Sequence, residues 1–305
     1  MSDSKQRPYL HEAQLSFRFG KVGYSVRLLE PGVPVPGRPP GHAGRWRRLY
    51  DALDRAMRGD FTAAGDVLEV YRESHGNKDE PVDYWIKWNA ITILGHIGTV
   101  ECFRDMRREI EAPDVREADR HDYYANTKIT SYCRAFTLWG RLDALPVILD
   151  QYLNQRMKGA PELDIFGTYL SKLLLPVVGS GSMIPDEPPA DMLEDYLNLV
   201  MDRYDEVVAE LGSETVHVAF GELLSPRTLA RRICAPIETP YLRHELICLR
   251  ERFEPMTGID CTDFFTSDPW TPLAAAAIAE DFLASDASAR FEDGARYFFG
   301  HRIPD

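Results

Sequence analysis

From Arg45 onward, apolar residues recur along the chain mostly at steps of three and four. Trp46, Leu49, Leu53, Ala56 and Met57 form one such stripe, the spacing of a single buried face of an α-helix. Gly59-Asp60 interrupts it, and Ala64, Val67, Leu68 and Tyr71 begin a second stripe. Two antiparallel helices joined by a tight turn are predicted. The unit recurs: Met57-Arg-Gly59-Asp-Phe61-Thr-Ala63 aligns with His96-Ile-Gly98-Thr-Val100-Glu-Cys102 and with Leu138-Trp-Gly140-Arg-Leu142-Asp-Ala144. The glycines stand 39 and 42 residues apart. Each follows a predicted helix (45–58, 84–97, 119–139) and precedes another (61–74, 100–112, 142–157). Glycine at such a point suits a helix C-cap, where φ is positive.

The second half is less regular. An apolar helix is predicted over 165–178, followed by a loop containing Gly179-Ser-Gly-Ser182 and Pro185, Pro188 and Pro189. That loop is not a G-x-S-x-G nucleophile turn, and no strand precedes it. Residues 190–211 carry the clearest helical stripe: Leu193, Leu197, Val200, Tyr204, Val207 and Leu211. Residues 214–224 have no clear period. Ser225-Pro226 opens another helix as N-cap and first residue. Further helices are expected at 242–253 and 272–285, with Tyr297, Phe298 and Phe299 capping the last of them.

Residues 1–44 differ in kind. Leu15-Ser-Phe-Arg-Phe19 and Val22-Gly-Tyr-Ser-Val26 alternate around Gly20-Lys21, the pattern of a short β-hairpin or an extended arm. The run Pro31 to Pro40 is a stiff connector. The expected organisation is therefore an N-terminal arm at 1–44 and a helical-repeat domain with a C-terminal cap at 45–305.

A helix pair every forty or so residues over 45–157 resembles HEAT-type repeats; tetratricopeptide arrays have a shorter period of about 34 residues. The resemblance implies an all-α fold, an α-solenoid of antiparallel helix pairs with an extended concave surface that binds other proteins. Met256-Thr-Gly258-Ile-Asp260 ahead of Asp268-Pro-Trp270 resembles a connector found in bacterial HEAT-like proteins, although here Pro269 directly precedes Trp270.

Composition narrows the chemistry. The 305 residues carry 48 acidic and 35 basic side chains, a net charge of −13. Such a surface opposes general nucleic-acid binding and docking on an anionic membrane. It also weighs against the helical-repeat DNA glycosylases, whose clefts must meet phosphate. No apolar run approaches the ~20 residues that span a bilayer, and the start does not read as a signal peptide. Five widely spaced cysteines make a poor disulfide framework, and a reducing, cytoplasmic location is expected. Eight scattered histidines form no H-E-x-x-H or helical ligand pair, so no metal and no cofactor are predicted.

The charge is uneven: residues 1–58 are net +6 and residues 186–214 net −9. Asp191, Glu194, Asp195, Asp202, Asp205 and Glu206 lie off the apolar stripe of the 190–211 helix. The same pattern describes an ordinary solvated helix face. The functional alternative is a docking surface for a basic partner, selected by sign and drawn in quickly. With no catalytic motif, the leading expectation is a protein-binding repeat protein, specifically an immunity protein that occludes a basic cognate bacterial toxin. This rests partly on analogy with helical immunity proteins. The alternatives are a cytoplasmic adaptor for cellular proteins, and an enzyme with a cleft site using His96, His121 or His244.

Overall fold

Four of the described helices begin with a proline as their first residue, at Pro40, Pro81, Pro113 and Pro226. Proline suits that position because its missing N–H would have no intrahelical partner and its φ is preset. The structure, a computed structural model, describes residues 40–76, 81–116, 123–157, 172–178, 183–185, 188–235, 242–265 and 272–304. The expected hairpin or arm near 14–28, most of the proline-rich connector, the Gly179–Ser182 loop and Asp268–Trp270 lie outside these residues.

The predicted helices are present, with ends shifted by a few residues. They are α1 (Pro40–Ala56), α2 (Ala63–Glu73), α3 (Pro81–Ile97), α4 (Val100–Ile110), α5 (Tyr123–Trp139), α6 (Leu145–Met157), α7 (Leu193–Leu211), α8 (Pro226–Cys234), α9 (Leu242–Thr257) and α10 (Leu273–Ala284). A single turn, Pro113–Arg116, follows α4. The helix expected over 165–178 is seen from 172 and stops at Leu174. Leu175 precedes Pro176, which disfavours the helical region for it. Among the described residues, no helix is long and apolar enough to cross a membrane.

The chain is mostly α-helical, as expected, and the described residues add two short antiparallel hairpins that the periodicity does not predict. β1 (Val218–Ala219) pairs with β2 (Glu222–Leu223), and β3 (Tyr297–Phe298) pairs with β4 (His301–Arg302). Each turns on a Phe-Gly pair in which both residues have positive φ: Phe220 at 56° and Gly221 at 75°, Phe299 at 50° and Gly300 at 77°. That is the type I′ geometry, whose twist matches a hairpin. Phenylalanine is a rare choice at such a φ, so the usual Asn-Gly signal is missing. The turn amides compensate by binding helix ends. Phe220 and Gly221 donate to the carbonyls of Leu173 and Leu174 at 3.0 and 3.1 Å. Phe299 and Gly300 donate to those of Pro255 and Met256 at 2.6 and 3.0 Å. Both sets of acceptors belong to the last turn of a helix, where carbonyls lack intrahelical partners.

The chain divides into two units. One contains the described parts of Met1–Val70, Pro226–Glu292 and Arg296–Pro304. In it α8 packs on α9 and α10, and α9 packs on β3. An aromatic series runs from Phe253 to Phe282 (5.3 Å), Phe291 (5.8 Å) and Tyr297 (4.8 Å). Tyr297 and Phe298 are buried, so the aromatic tail covers the last helices. At the α1–α2 corner, Arg55 pairs with both Asp60 (2.8 Å) and Asp66.

The other unit contains the described parts of Tyr71–Ser225, with Asp293–Ala295. Here α3 and α4 both pack on α5, and α5 packs on α6. Four helices converge on one carboxylate. Glu109 Oε1 meets Lys87 Nζ at 2.8 Å and Lys128 Nζ at 2.7 Å. Tyr71 donates to Glu109 Oε2 at 2.6 Å, and the Tyr71 and Tyr132 hydroxyls lie 3.0 Å apart. The Lys87 ammonium also sits 4.6 Å from the centre of the Tyr71 ring. Burial pushes the Glu109 carboxyl up, but the two lysines outweigh it and hold the group at about 2. Burial pushes Lys87 down against the pull of Glu109. The Tyr71 and Tyr132 hydroxyls are both raised, chiefly by burial, and stay protonated as donors.

The three repeat-corner glycines are not equivalent. Gly59 and Gly140 have positive φ, 86° and 76°. Gly98 is not left-handed; it is required because a Cβ there would lie 2.4 Å from the Leu94 carbonyl oxygen. Gly140 also redirects the chain into the first hairpin. Val218 donates to the Gly140 carbonyl at 2.7 Å, Leu142 to Val216 at 3.0 Å and Asp143 to Glu214 at 2.8 Å. Among the tryptophans, Trp46 and Trp139 are buried and Trp88 is partly so, while the side chains of Trp85 and Trp270 lie outside the described residues.

Two stability predictions follow from these contacts. Glu109→Gln leaves two largely buried ammonium groups unmatched and is expected to cost about 3 kcal/mol in urea unfolding at neutral pH. Because the folded-state carboxyl is depressed to about 2, its contribution is present above the ordinary carboxylate value and is lost as pH falls toward 2. The gap between wild type and variant should therefore close across that window. Gly140→Val forces a branched residue to positive φ and should lower stability by about 1–3 kcal/mol, read from the urea midpoint at unchanged slope.

Candidate functional site

The acidic candidates are placed by α7, whose local chemistry is simple. A 3₁₀ turn, Ala190–Met192, leads into it, and Gly212 ends it in the left-handed conformation with its N–H on the Val208 carbonyl at 2.8 Å. Leu193, Tyr196, Val200, Tyr204 and Val207 are buried at steps of three and four. The Tyr196 ring meets Tyr152 of α6 edge-on at 6.1 Å. The Tyr204 hydroxyl donates to Glu214 at 3.1 Å and is pushed up to about 12, first by burial and then by that carboxylate. Tyr196 and Tyr204, the two tyrosines of this helix, thus belong to the core.

The opposite face is charged. Asp191, Glu194, Asp195, Asp202, Asp205 and Glu206 are all exposed. On a helix of 3.6 residues per turn, Glu194, Asp195, Asp202, Asp205 and Glu206 fall within an arc of about 120° centred opposite the buried stripe. The structure therefore brings Glu194 to Glu206 together on one outward surface, about 18 Å long at 1.5 Å per residue. Arg203 is the only base on α7; it meets Glu206 at 2.9 Å and Glu210 at 3.7 Å. Asp191, Glu194, Asp195, Asp202 and Asp205 make no ion pair with any described residue.

This arrangement runs against the stability of the helix. Carboxylates in the first turn, Glu194 and Asp195, favour the positive end of the helix dipole. Near the other end, Glu206 and Glu210 face the negative pole, and the last turn has no basic residue. Like charges at i,i+3 and i,i+4, such as Asp202 with Asp205 and Glu206, repel by a few tenths of a kcal/mol per pair.

Catalytic groups are not gathered in the same way. Among the described residues, no three His, Cys, Asp or Glu side chains are placed to hold a metal ion. His96 is half-buried on α3, His121 lies outside the described residues, and of His244 only the backbone is described. All five cysteines are thiols. Burial pushes Cys133 up to about 12 and raises Cys234, the reverse of what an attacking thiolate needs. His301 and Arg302 are exposed on β4, and Arg302 pairs with Glu292 at 2.7 Å.

One feature escaped the sequence reading. A cavity of about 230 Å³ is lined by residues of α4, the end of α5 and the turn into α6, among them Phe103, Arg104, Phe136, Trp139, Arg141 and Val147. Its aromatic and basic residues lie far apart in sequence, and each separately fits a helical core stripe or a solvated surface. The pair Phe103-Arg104 against Trp139-Gly-Arg141 is the only local trace of it.

No protein-family model, no curated protein and no solved structure matches this chain.

Since Asp202 and Asp205 are exposed and mutually repelling, replacing both with Asn should leave the fold intact. The expected change in stability is within about 0.5 kcal/mol per site and in the favourable direction, measured by thermal unfolding at low salt.

Proposed function

We propose that the chain is a cytoplasmic HEAT-like helical-repeat protein that binds a basic protein partner through the outer face of α7. The partner proposed is a bacterial toxin whose basic, nucleic-acid-facing surface is occluded, which makes this chain its immunity protein. The supporting observation is the single outward stripe of carboxylates on α7, four of them, with Asp191 in the preceding turn, without an ion pair among the described residues. Past the first turn, where Glu194 and Asp195 suit the helix dipole, the stripe repels itself and opposes that dipole at the C-terminal end. Clustered charge of one sign raises the association rate with an oppositely charged partner and excludes partners of the wrong sign. The recurring helix–corner–helix pattern at Gly59, Gly98 and Gly140 supports the repeat reading, and repeats of this kind work by presenting side chains on an extended face.

The test is affinity capture from the native cell lysate, at low and high salt, with wild-type protein and with a variant carrying Lys at 191, 195, 202 and 205. One stoichiometric basic protein should be retained by the wild type at low salt. Its capture should weaken at high salt, and its association with the variant should slow by about ten- to a thousandfold. Expressed alone, that protein should arrest growth, and co-expression of the wild type, but not of the variant, should relieve the arrest. Equal capture by the variant would overturn the acidic-face reading. A set of several ordinary cellular proteins would favour an adaptor.

A further inference from the structure

The cavity beside α4 combines two kinds of wall. Phe103 and Trp139 stack face to face with ring centres 3.4 Å apart and planes 6° from parallel, and Phe136 lies 5.8 Å from Phe103. Val100 and Val147 extend this apolar surface. The rest of the rim is basic. Arg104 and Arg107 are one turn apart on α4 and share a face, and Arg141 enters from the turn after Gly140.

Only part of this positive charge is answered within the protein. Arg107 pairs with Glu111 at 2.9 Å. Arg141 binds both oxygens of Asp143, the first at 3.0 Å, and its guanidinium lies 4.8 Å from the centre of the Trp139 ring. Asp143, the one acidic residue of the lining, is therefore neutralised in place. Arg104 is exposed and makes no ion pair with any described residue. Arg141 is also held rigid by its carboxylate and ring contacts. A guanidinium has five N–H donors, so Arg141 keeps donors to spare after binding Asp143. In a chain of net charge −13, the lining of this cavity has three arginines and one aspartate.

We propose that this cavity is a binding site for a small organic carboxylate with a single aromatic ring. The ring lies against Val100, Phe103 and Val147, and the carboxylate is held by Arg104 with a second N–H from Arg141. The volume of about 230 Å³ is below the ~300–1,000 Å³ of pockets for drug-sized ligands, which selects a one-ring ligand. The apolar wall supplies burial, and the guanidinium groups supply charge-assisted hydrogen bonds that fix orientation. Neither the ring nor the anion alone uses both walls. This site is independent of the acidic face of α7 and of any partner bound there.

The test is a ligand-observed fluorine NMR titration of the full chain with 4-fluorophenylacetate. Its neutral amide, 4-fluorophenylacetamide, is the comparator for charge, and inorganic phosphate, added as competitor, is the comparator for the ring. Two variants are used: Arg104→Gln, at an exposed position, and Val100→Trp, which fills the mouth from a residue that is itself 39% exposed. The acid should bind saturably and at least about tenfold more tightly than the amide, the difference expected for a charge-assisted contact. Arg104→Gln should remove most of that preference while leaving the amide unaffected. Val100→Trp should abolish both, with unfolding temperature unchanged in each variant. Equal binding of acid and amide, acid binding that survives both substitutions, displacement by phosphate at equal concentration, or no saturable signal at millimolar ligand would each overturn the proposal.

Discussion

Glu109 is a largely buried carboxylate where α2, α3, α4 and α5 meet, and a group of that kind must be matched or protonated. Here it is matched, by Lys87 from α3, Lys128 from α5 and the hydroxyl of Tyr71 at the end of α2. Tyr132 completes the set through Tyr71. Every member is held by another, so none can shift without leaving a largely buried charge or hydroxyl unanswered. The apolar stripes of these helices tolerate small rotations and slides. The network does not, and it selects one arrangement of α3, α4 and α5 from those that hydrophobic burial alone would allow. The cost is visible in Lys87, whose ammonium is disfavoured by burial even with its partner in place.

A second constraint operates at helix ends. The last turn of a helix leaves carbonyls unpaired, and in both units a two-residue Phe-Gly turn supplies donors to them. In each case a helix ends, another helix follows (α7 or α10), and a hairpin then returns its turn amides to the first helix. A phenylalanine at positive φ is an unfavourable local choice. It is sustained because the turn is fixed from outside, by hydrogen bonds to a helix, rather than by its own preference. The hairpins are thus helix caps as much as strands, which is why two-residue strands suffice.

The surface follows a different logic from the interior. Inside, charges such as Glu109, Glu245 and Glu254 are met by a lysine or arginine; on α7 they are numerous and, apart from those near Arg203, unanswered within the helix. That contrast underlies the proposed docking role, because exposed carboxylates that repel one another are free to serve recognition. The arginine-rimmed cavity is the local opposite in sign, built where α4 and α5 meet.

The positions of the helices were legible because helical periodicity is local: three or four residues suffice to mark a buried face. The acidic stripe was legible for the same reason, since all its members belong to α7 and its preceding turn, and a helix places them together whatever it packs against. The glycine corners were only partly legible. Gly59 and Gly140 are left-handed, but Gly98 is a glycine for want of space beside the Leu94 carbonyl. The hairpins were hidden because Phe-Gly is a poor local turn signal. Tyr71 and Glu109 are 38 residues apart, and Tyr71 and Tyr132 are 61 apart. Sequence by itself determined which face of each helix turns inward, since that depends on the residue's own neighbours along the chain. Which faces meet, which charges pair and where a cavity remains were decided only by the tertiary structure, since burial is non-directional and only contact in space makes a lysine the partner of a particular carboxylate.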